Sequence, residues 1–214
     1  KTNSMLHEFI STKTFRYITI GNPKKASKLL IVLHGYGQLV EYFVRKFEGL
    51  DEDVFIVAPE GMHRFYLKGS SGRVGASWMT KEAREADIHD NIHWLNQLNE
   101  LIQKEQSFEK TILLGFSQGG ATAARWYENS TIQFDHLVMW ASIFPPDLQM
   151  NLKSTTDKTG KNIFVLGNDD PFFNSEEQSK VLEFYKTNDF GLIQYKGNHD
   201  IDLATLKVLL EDLK

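Results

Sequence analysis

Residues 111–121 read Thr-Ile-Leu-Leu-Gly-Phe-Ser-Gln-Gly-Gly-Ala, an apolar run that ends at Gly115, sets Ser117 between Phe116 and Gln118, and continues into small residues. This is a G-x-S-x-G pattern in the setting that gives it meaning. A strand entering a helix through a sharp turn holds a serine Oγ at the strand's carboxyl end, and flanking glycines such as Gly115 and Gly119 relieve crowding at the bend. The bare pattern is common by chance. Here the strand-like run before it and Gly119, Gly120 and Ala121 after it favour a catalytic nucleophile at Ser117 over a structural turn.

A serine hydroxyl is a poor nucleophile near neutral pH unless a positioned base takes its proton, so Ser117 calls for a histidine and an orienting carboxylate. Folds with this elbow supply them downstream, in the order acid then histidine. Of the histidines, only His136 and His199 follow Ser117. His136 opens an apolar run, the end opposite the nucleophile, whereas His199 follows the last such run in Tyr-Lys-Gly-Asn-His-Asp. His199 is therefore the expected base, with a helix-capping histidine as the bland alternative. For the acid, Gly-Asn-Asp-Asp-Pro at 167–171 lies just past the apolar run 163–166. Asp169 and Asp170 compete; the residue before proline is held extended, which favours Asp170 as the acid and leaves Asp169 in the turn. Asp200 and Asp202, near His199, are expected to cap a helix.

Acyl transfer also needs donors aimed at a developing oxyanion. The glycine turn Leu33-His34-Gly35-Tyr36-Gly37 offers the backbone N–H of Tyr36, and the residue after the nucleophile, Gln118, offers the second. The His34 ring is expected to support that turn from beneath. Because the base must start neutral, and free imidazole titrates near pH 6.5, activity is expected to rise through about pH 6–7.

The elements that must position these groups follow from periodicity. Short apolar runs at 15–20, 29–33, 54–58, 111–116, 137–141, 163–167 and 192–195 read as strands buried on both faces. Between them, residues 80–104 carry Ile88, Ile92, Leu95, Leu98 and Leu101 at helical steps, 174–188 open with Ser175 and Gln178 in capping-box spacing, and Leu203, Leu206, Leu210 and Leu213 stripe a closing helix. Alternation of this kind implies an α/β fold with a mostly parallel sheet. The polar stretch 153–161 reads as a surface loop and no linker divides the chain, so residues 1–214 are expected to form one domain.

Composition narrows the chemistry. The chain of 214 residues has no cysteine, which excludes disulfides, thiolate metal sites and a cysteine nucleophile. A net charge of −4 gives no attraction to nucleic acid. No apolar run is long enough to span a bilayer, and the opening Lys-Thr-Asn-Ser-Met-Leu-His-Glu-Phe lacks a signal-peptide core, which points to the cytoplasm and to no stable membrane insertion. An exposed apolar rim would serve a homodimer contact or a lipid-facing entrance equally. His89 and His93, at i and i+4, imitate half of a zinc motif, but no third ligand is evident. Lys24, Lys25 and Lys28 read as a solvated turn.

Four stretches resemble, in order, motifs of the phospholipase/carboxylesterase family, which includes the acyl-protein thioesterases, within the α/β-hydrolase superfamily. Leu-His-Gly-Tyr-Gly resembles its L-H-G-x-G, Gly-Phe-Ser-Gln-Gly-Gly-Ala its elbow, Gly-Asn-Asp-Asp-Pro its G-x-x-D-P, and residues 195–199 its Y-x-G-x-H. The resemblance implies a three-layer α/β-hydrolase fold, a triad of Ser117, Asp170 and His199, oxyanion amides at Tyr36 and Gln118, and hydrolysis of small-molecule acyl esters or thioesters without cofactor or metal. A non-catalytic ligand-binding relative and a perhydrolase using the same triad are the alternatives. Ala-Ser-Ile-Phe-Pro at 141–145 looks like the family's A-L-S-G-x-x-P, with Ile143 where glycine is common.

Two departures bear on substrate choice. The family usually has an aspartate after the oxyanion glycine, where this chain has Gln38, and its tryptophan, aromatic, aspartate pattern is here Trp78-Met79-Thr80. The aromatic, glycine-punctuated stretch 59–75 covers the mouth of the site in one reading, with Phe65, Tyr66, Leu67 and Trp78 lining an acyl pocket. In the other it is a mobile surface loop that packs its aromatics on the core.

Overall fold

A computed structural model describes residues 4–148 and 162–213. Runs of Val, Ile, Leu and Phe leave no polar face for water, so such strands belong in the middle of a covered sheet. β2 (Lys28–Leu33), β3 (Val54–Pro59), β6 (Lys110–Phe116), β7 (His136–Trp140) and β8 (Ile163–Gly167) are buried nearly end to end. With β1 (Tyr17–Ile20) and β9 (Gly191–Tyr195) they form a seven-stranded sheet in the order β1-β3-β2-β6-β7-β8-β9. All neighbours are parallel except β1, which runs antiparallel to β3. The two edge strands depart from the expected two-sided burial: each exposes alternate residues, because an edge is covered on one side only.

The helices α2 (Arg84–Glu105), α3 (Gln118–Asn129), α4 (Ser175–Thr187) and α5 (Leu203–Asp212) cover the sheet, giving a three-layer α/β-hydrolase fold. The buried stripe of α2 is Trp94, Leu95, Leu98 and Ile102, while Leu101 lies 46% exposed, so the expected stripe is rotated at its end. The capping box of α4 sits one residue earlier than expected. Asn174 accepts from the Glu176 and Glu177 amides, and Glu177 returns a bond to the Asn174 N–H. Asp202 caps α5 by accepting from the Thr205 amide, but Asp200 pairs with Lys46 instead of capping.

Two features went unread in the sequence. A short helix α1 (Val40–Phe43) continues into a 3₁₀ turn at Val44–Phe47. Residues 59–75 are not a loop: beyond Pro59 the chain builds an antiparallel hairpin, β4 (His63–Lys68) and β5 (Ser71–Ser77). The stretch 153–161, read as a surface loop, lies outside the described residues. Among the described residues no helix is long and apolar enough to cross a membrane. Lys25 and Lys28 pair with Glu52 and Asp53.

Candidate active site

Parallel register brings the reactive segments to one end of the sheet. Leu33 lies opposite Gly115, Phe116 opposite Trp140 and Gly167 opposite Tyr195, so the turns after β2, β6, β8 and β9 all leave at the strands' carboxyl ends. That end is where open α/β sheets gather their ligands.

Ser117 stands between β6 and α3 with φ 52° and ψ −121°. A side-chain-bearing residue rarely adopts positive φ, and the strain persists because its surroundings hold it there. Its amide donates to the Trp140 carbonyl at 2.9 Å. Side chains at Gly119 or Gly120 would collide with the Leu33 carbonyl and with Ser142, respectively, so the small residues after the serine let α3 close onto β2 and β7.

The two downstream groups meet. Asp170, 2% exposed, accepts from His199 Nδ1 at 2.7 Å through Oδ2 and from the Phe172 amide at 2.9 Å through Oδ1. An ionised carboxylate only accepts, so the imidazole proton sits on Nδ1 and Nε2 is left with its lone pair free. Asp169 is exposed, and its amide donates to the Gly197 carbonyl at 2.9 Å. Together with the Asn168 amide on the Tyr195 carbonyl, this bond zips the aspartate loop to the histidine loop. A side chain at Gly167 would strike the Gly197 carbonyl, and one at Gly197 would strike the Tyr195 ring. The Tyr195 hydroxyl points at the carbonyls of Asn198 and Asp200, which flank His199, while the Trp140 indole also donates to Asp200. Ser117 Oγ makes no hydrogen bond to His199 among the described residues. The neighbouring Phe116 ring packs 4.9 Å from the imidazole, centre to centre. Catalytic hydrogen bonds are often long in unliganded enzymes and tighten when substrate binds.

Across from this pair lies the turn after β2. The Gly61 amide donates to His34 Nε2 at 2.9 Å, so the other nitrogen carries the proton and donates to the Gly35 carbonyl at 2.8 Å. Burial pushes the His34 pKa down to about 4, against smaller opposing contributions from the Gly35 bond and Glu60. The Gly35 carbonyl and the Tyr36 N–H belong to one trans peptide, so the bond to His34 turns the Tyr36 N–H away from the core. Gln38, standing where the related aspartate was expected, closes the turn by accepting the Gly35 amide at 2.8 Å. The amides of Tyr36 and Gln118 have no internal partner among the described residues, and that of Gln118 opens α3, where the helix dipole favours negative charge. The Gln118 side chain meanwhile clamps Trp78 and Met79.

The substrate-lining residues expected from sequence divide. Phe65, Tyr66 and Leu67 sit on β4; Phe65 packs 5.2 Å from the Tyr36 ring, and Leu67 lies against Gly37. The β5 end is bonded to the turn through Gly37 and Ala76. Trp78 requires correction. It is fully buried, donates to the His34 carbonyl and stacks on Trp94, so it supports the turn from inside and lines no opening.

Sequence reasoning missed a mostly apolar cleft of about 290 Å³ bounded by Ile143, Phe144, Phe172, Phe173, Val181 and Phe184, with Glu177 and Lys180 also in its wall. Phe172 stacks 4.4 Å from the imidazole. No periodic signal could have pointed to it, since its walls come from two loops and one helix. His136 is buried at the start of β7, away from this end. His89 and His93 are exposed and stacked on each other, and among the described residues no set of three His, Asp or Glu side chains is placed to hold a metal.

A model of the phospholipase/carboxylesterase family matches residues 17–214. The chain is 27% identical over 142 residues to an Arabidopsis thaliana 1-acylglycerol-3-phosphate O-acyltransferase; the match covers 66% of this chain but only 30% of that protein. Among solved structures it resembles esterase PE8, with TM-score 0.69, 18% identity and coverage of 94% of this chain and 100% of the other. It also resembles a Zea mays acyl-protein thioesterase 2, with TM-score 0.66, 15% identity and coverage of 92% and 97%. A Bacillus cereus carboxylesterase superposes with TM-score 0.65 at 14% identity over 93% of each chain. Identities this low speak for the fold alone; with the family match over residues 17–214, the chain belongs to the phospholipase/carboxylesterase family of α/β-hydrolases.

Proposed function

We propose that this chain hydrolyses carboxylic esters or thioesters of acyl chains through a Ser117–His199–Asp170 triad and an acyl-enzyme intermediate. The observation that carries the reading is a serine held at positive φ between strand and helix, next to a phenylalanine whose ring packs on a histidine with its Nδ1 engaged by a buried aspartate. His199 Nε2 removes the Ser117 proton as Oγ attacks the acyl carbonyl. The amides of Tyr36 and Gln118 hold the oxyanion; His199 then delivers the proton to the leaving alcohol or thiol, and water attacks the acyl-enzyme by the same route. Asp170 keeps the imidazole in the required tautomer and stabilises its charged form.

The test is hydrolysis of p-nitrophenyl esters from acetyl to lauroyl near neutral pH, comparing wild type with Ser117→Ala. The substitution is expected to lower kcat by about 10⁴-fold or more while leaving the fold intact. Equal rates in the two proteins would remove the serine mechanism. The Arabidopsis relative is named as an acyltransferase, which favours one further arm. If added alcohols capture the acyl group faster than water does, the acceptor in the second half-reaction is an alcohol and the triad chemistry is unchanged.

A further inference from the structure

We propose that Glu60 is a positioning residue that sets the direction of the Tyr36 N–H in the turn after β2, an inference that rests on the serine-hydrolase reading above. Glu60 follows the last residue of β3 and is 2% exposed. It reaches the turn by three routes. Directly, its Oε2 accepts the Val40 amide at 3.4 Å, the first amide of α1, to which Leu39 offers no side-chain cap. Through its neighbour, the Gly61 amide donates to His34 Nε2 at 2.9 Å, and the other nitrogen of that ring aims the Gly35–Tyr36 peptide. Through Arg64, which donates to Oε1 at 3.1 Å, it is joined to the hairpin: Arg64 lies opposite Ala76, and Ala76 bonds to both Gly37 and Gln38.

A carboxylate withdrawn from water must be paired, and Arg16 supplies most of the pairing. Its Nε and Nη2 donate to Oε1 at 3.0 and 2.6 Å, and Nη2 also meets Oε2 at 2.8 Å. Burial opposes ionisation of Glu60, but the bonds from Arg16 and Arg64 outweigh it and hold the carboxyl below its ordinary range. The group is therefore an anion at neutral pH. A buried ion pair is weak evidence for stability, because desolvation consumes much of what attraction returns. Nor is the pair needed to fasten β1, which already runs along β3 from Tyr17 opposite Pro59 to Ile20 opposite Ile56. What the carboxylate adds is direction. It gathers bonds from Arg16, β4 and α1 at one point and so fixes the turn from His34 to Val40 against the end of β3. An oxyanion donor works only when its N–H is held in advance toward the place where charge develops, and that is what such a fixed turn provides.

Glu60→Gln keeps the shape of the side chain and removes its charge. With p-nitrophenyl butyrate, kcat is expected to fall about 10- to 100-fold while KM stays within about twofold. Removing an oxyanion donor outright costs about 10²- to 10³-fold, and a misdirected donor loses part of that. Affinity for an alkyl trifluoromethyl ketone, whose adduct on Ser117 places an oxyanion in the turn, should weaken by a similar factor. Deuterium exchange of the peptide spanning residues 33–43 should rise, while that of the elbow at 111–121 stays at the wild-type level. Should Glu60→Gln not fold, Arg64→Met, at a side chain 40% exposed, carries the same test with smaller changes of the same sign. Lower stability with kcat, ketone affinity and turn exchange all unchanged would reduce Glu60 to a structural ion pair and overturn the proposal. A rise in KM at constant kcat would overturn it too, by placing Glu60 in substrate binding. If wild type neither hydrolyses the ester nor binds the ketone, the serine-hydrolase reading falls by itself, and the exchange measurement alone decides whether Glu60 holds the turn.

Discussion

His34 shows how a buried residue acts on a site it never touches. Its two hydrogen bonds fix a tautomer and aim a peptide, and the one it accepts from the Gly61 amide needs the neutral ring. Burial puts its folded pKa near 4, below the value of about 6.5 that it regains on unfolding. Between those values the unfolded chain binds more protons, so stability must fall as pH drops through this window and gain nothing from this residue above it. The expected loss is about 1 kcal/mol by pH 5.5 and about 3 kcal/mol below pH 4. Urea unfolding at pH 7.5, 5.5 and 4.5 checks this: His34→Gln, which does not titrate, should flatten the pH dependence by that amount, and parallel wild-type and variant curves would refute it. The chemistry-bearing residues were the most legible part of the sequence, since the proline after Asp170 and the glycines around Ser117 carry geometric information of their own. Trp78 was misread because aromatic character near a site does not distinguish a wall from a support, and only its burial beneath His34 does.

At the scale of elements, the site depends on loops held to each other more than on the strands that launch them. The histidine loop carries no helix or strand, and one hydroxyl, that of Tyr195, reaches the carbonyls on both sides of His199. Its ring also fills the space over Gly197, which gives the Tyr-x-Gly-x-His spacing a physical meaning. Tyr195→Phe keeps the ring and loses those bonds. It is expected to cost about 1 kcal/mol of stability and to lower kcat several-fold with KM little changed. A rise in KM at constant kcat would instead place Tyr195 in substrate binding. Strands with unbroken apolar runs were readable because nothing else explains such runs. The hairpin β4–β5 was not, because Phe65, Tyr66 and Leu67 follow no clean alternation and its pairing is irregular between Tyr66 and Lys68. The cap of α4 was placed one residue late because Asn174 and Ser175 are both good N-caps, and the choice is settled only by where the helix begins.

For the whole molecule, the order of strands does what no single motif can. Consecutive neighbours β2, β6, β7, β8 and β9 deliver the Tyr36 turn, Ser117, the Ile143 loop, Asp170 and His199 side by side, although about 160 residues separate the first from the last in the chain. The order acid then histidine was readable because both follow Ser117 at the ends of apolar runs. The cleft was not, because it exists only where a loop, a loop and a helix meet. The central claim, a nucleophilic Ser117 activated by His199, is tested most directly by covalent trapping with a dialkyl p-nitrophenyl phosphate followed by peptide mass spectrometry. A single phosphoryl adduct is expected on the peptide that bears Ser117, absent from Ser117→Ala and formed much more slowly by His199→Gln. An adduct at another residue, or ester hydrolysis that survives intact in Ser117→Ala, would contradict the account.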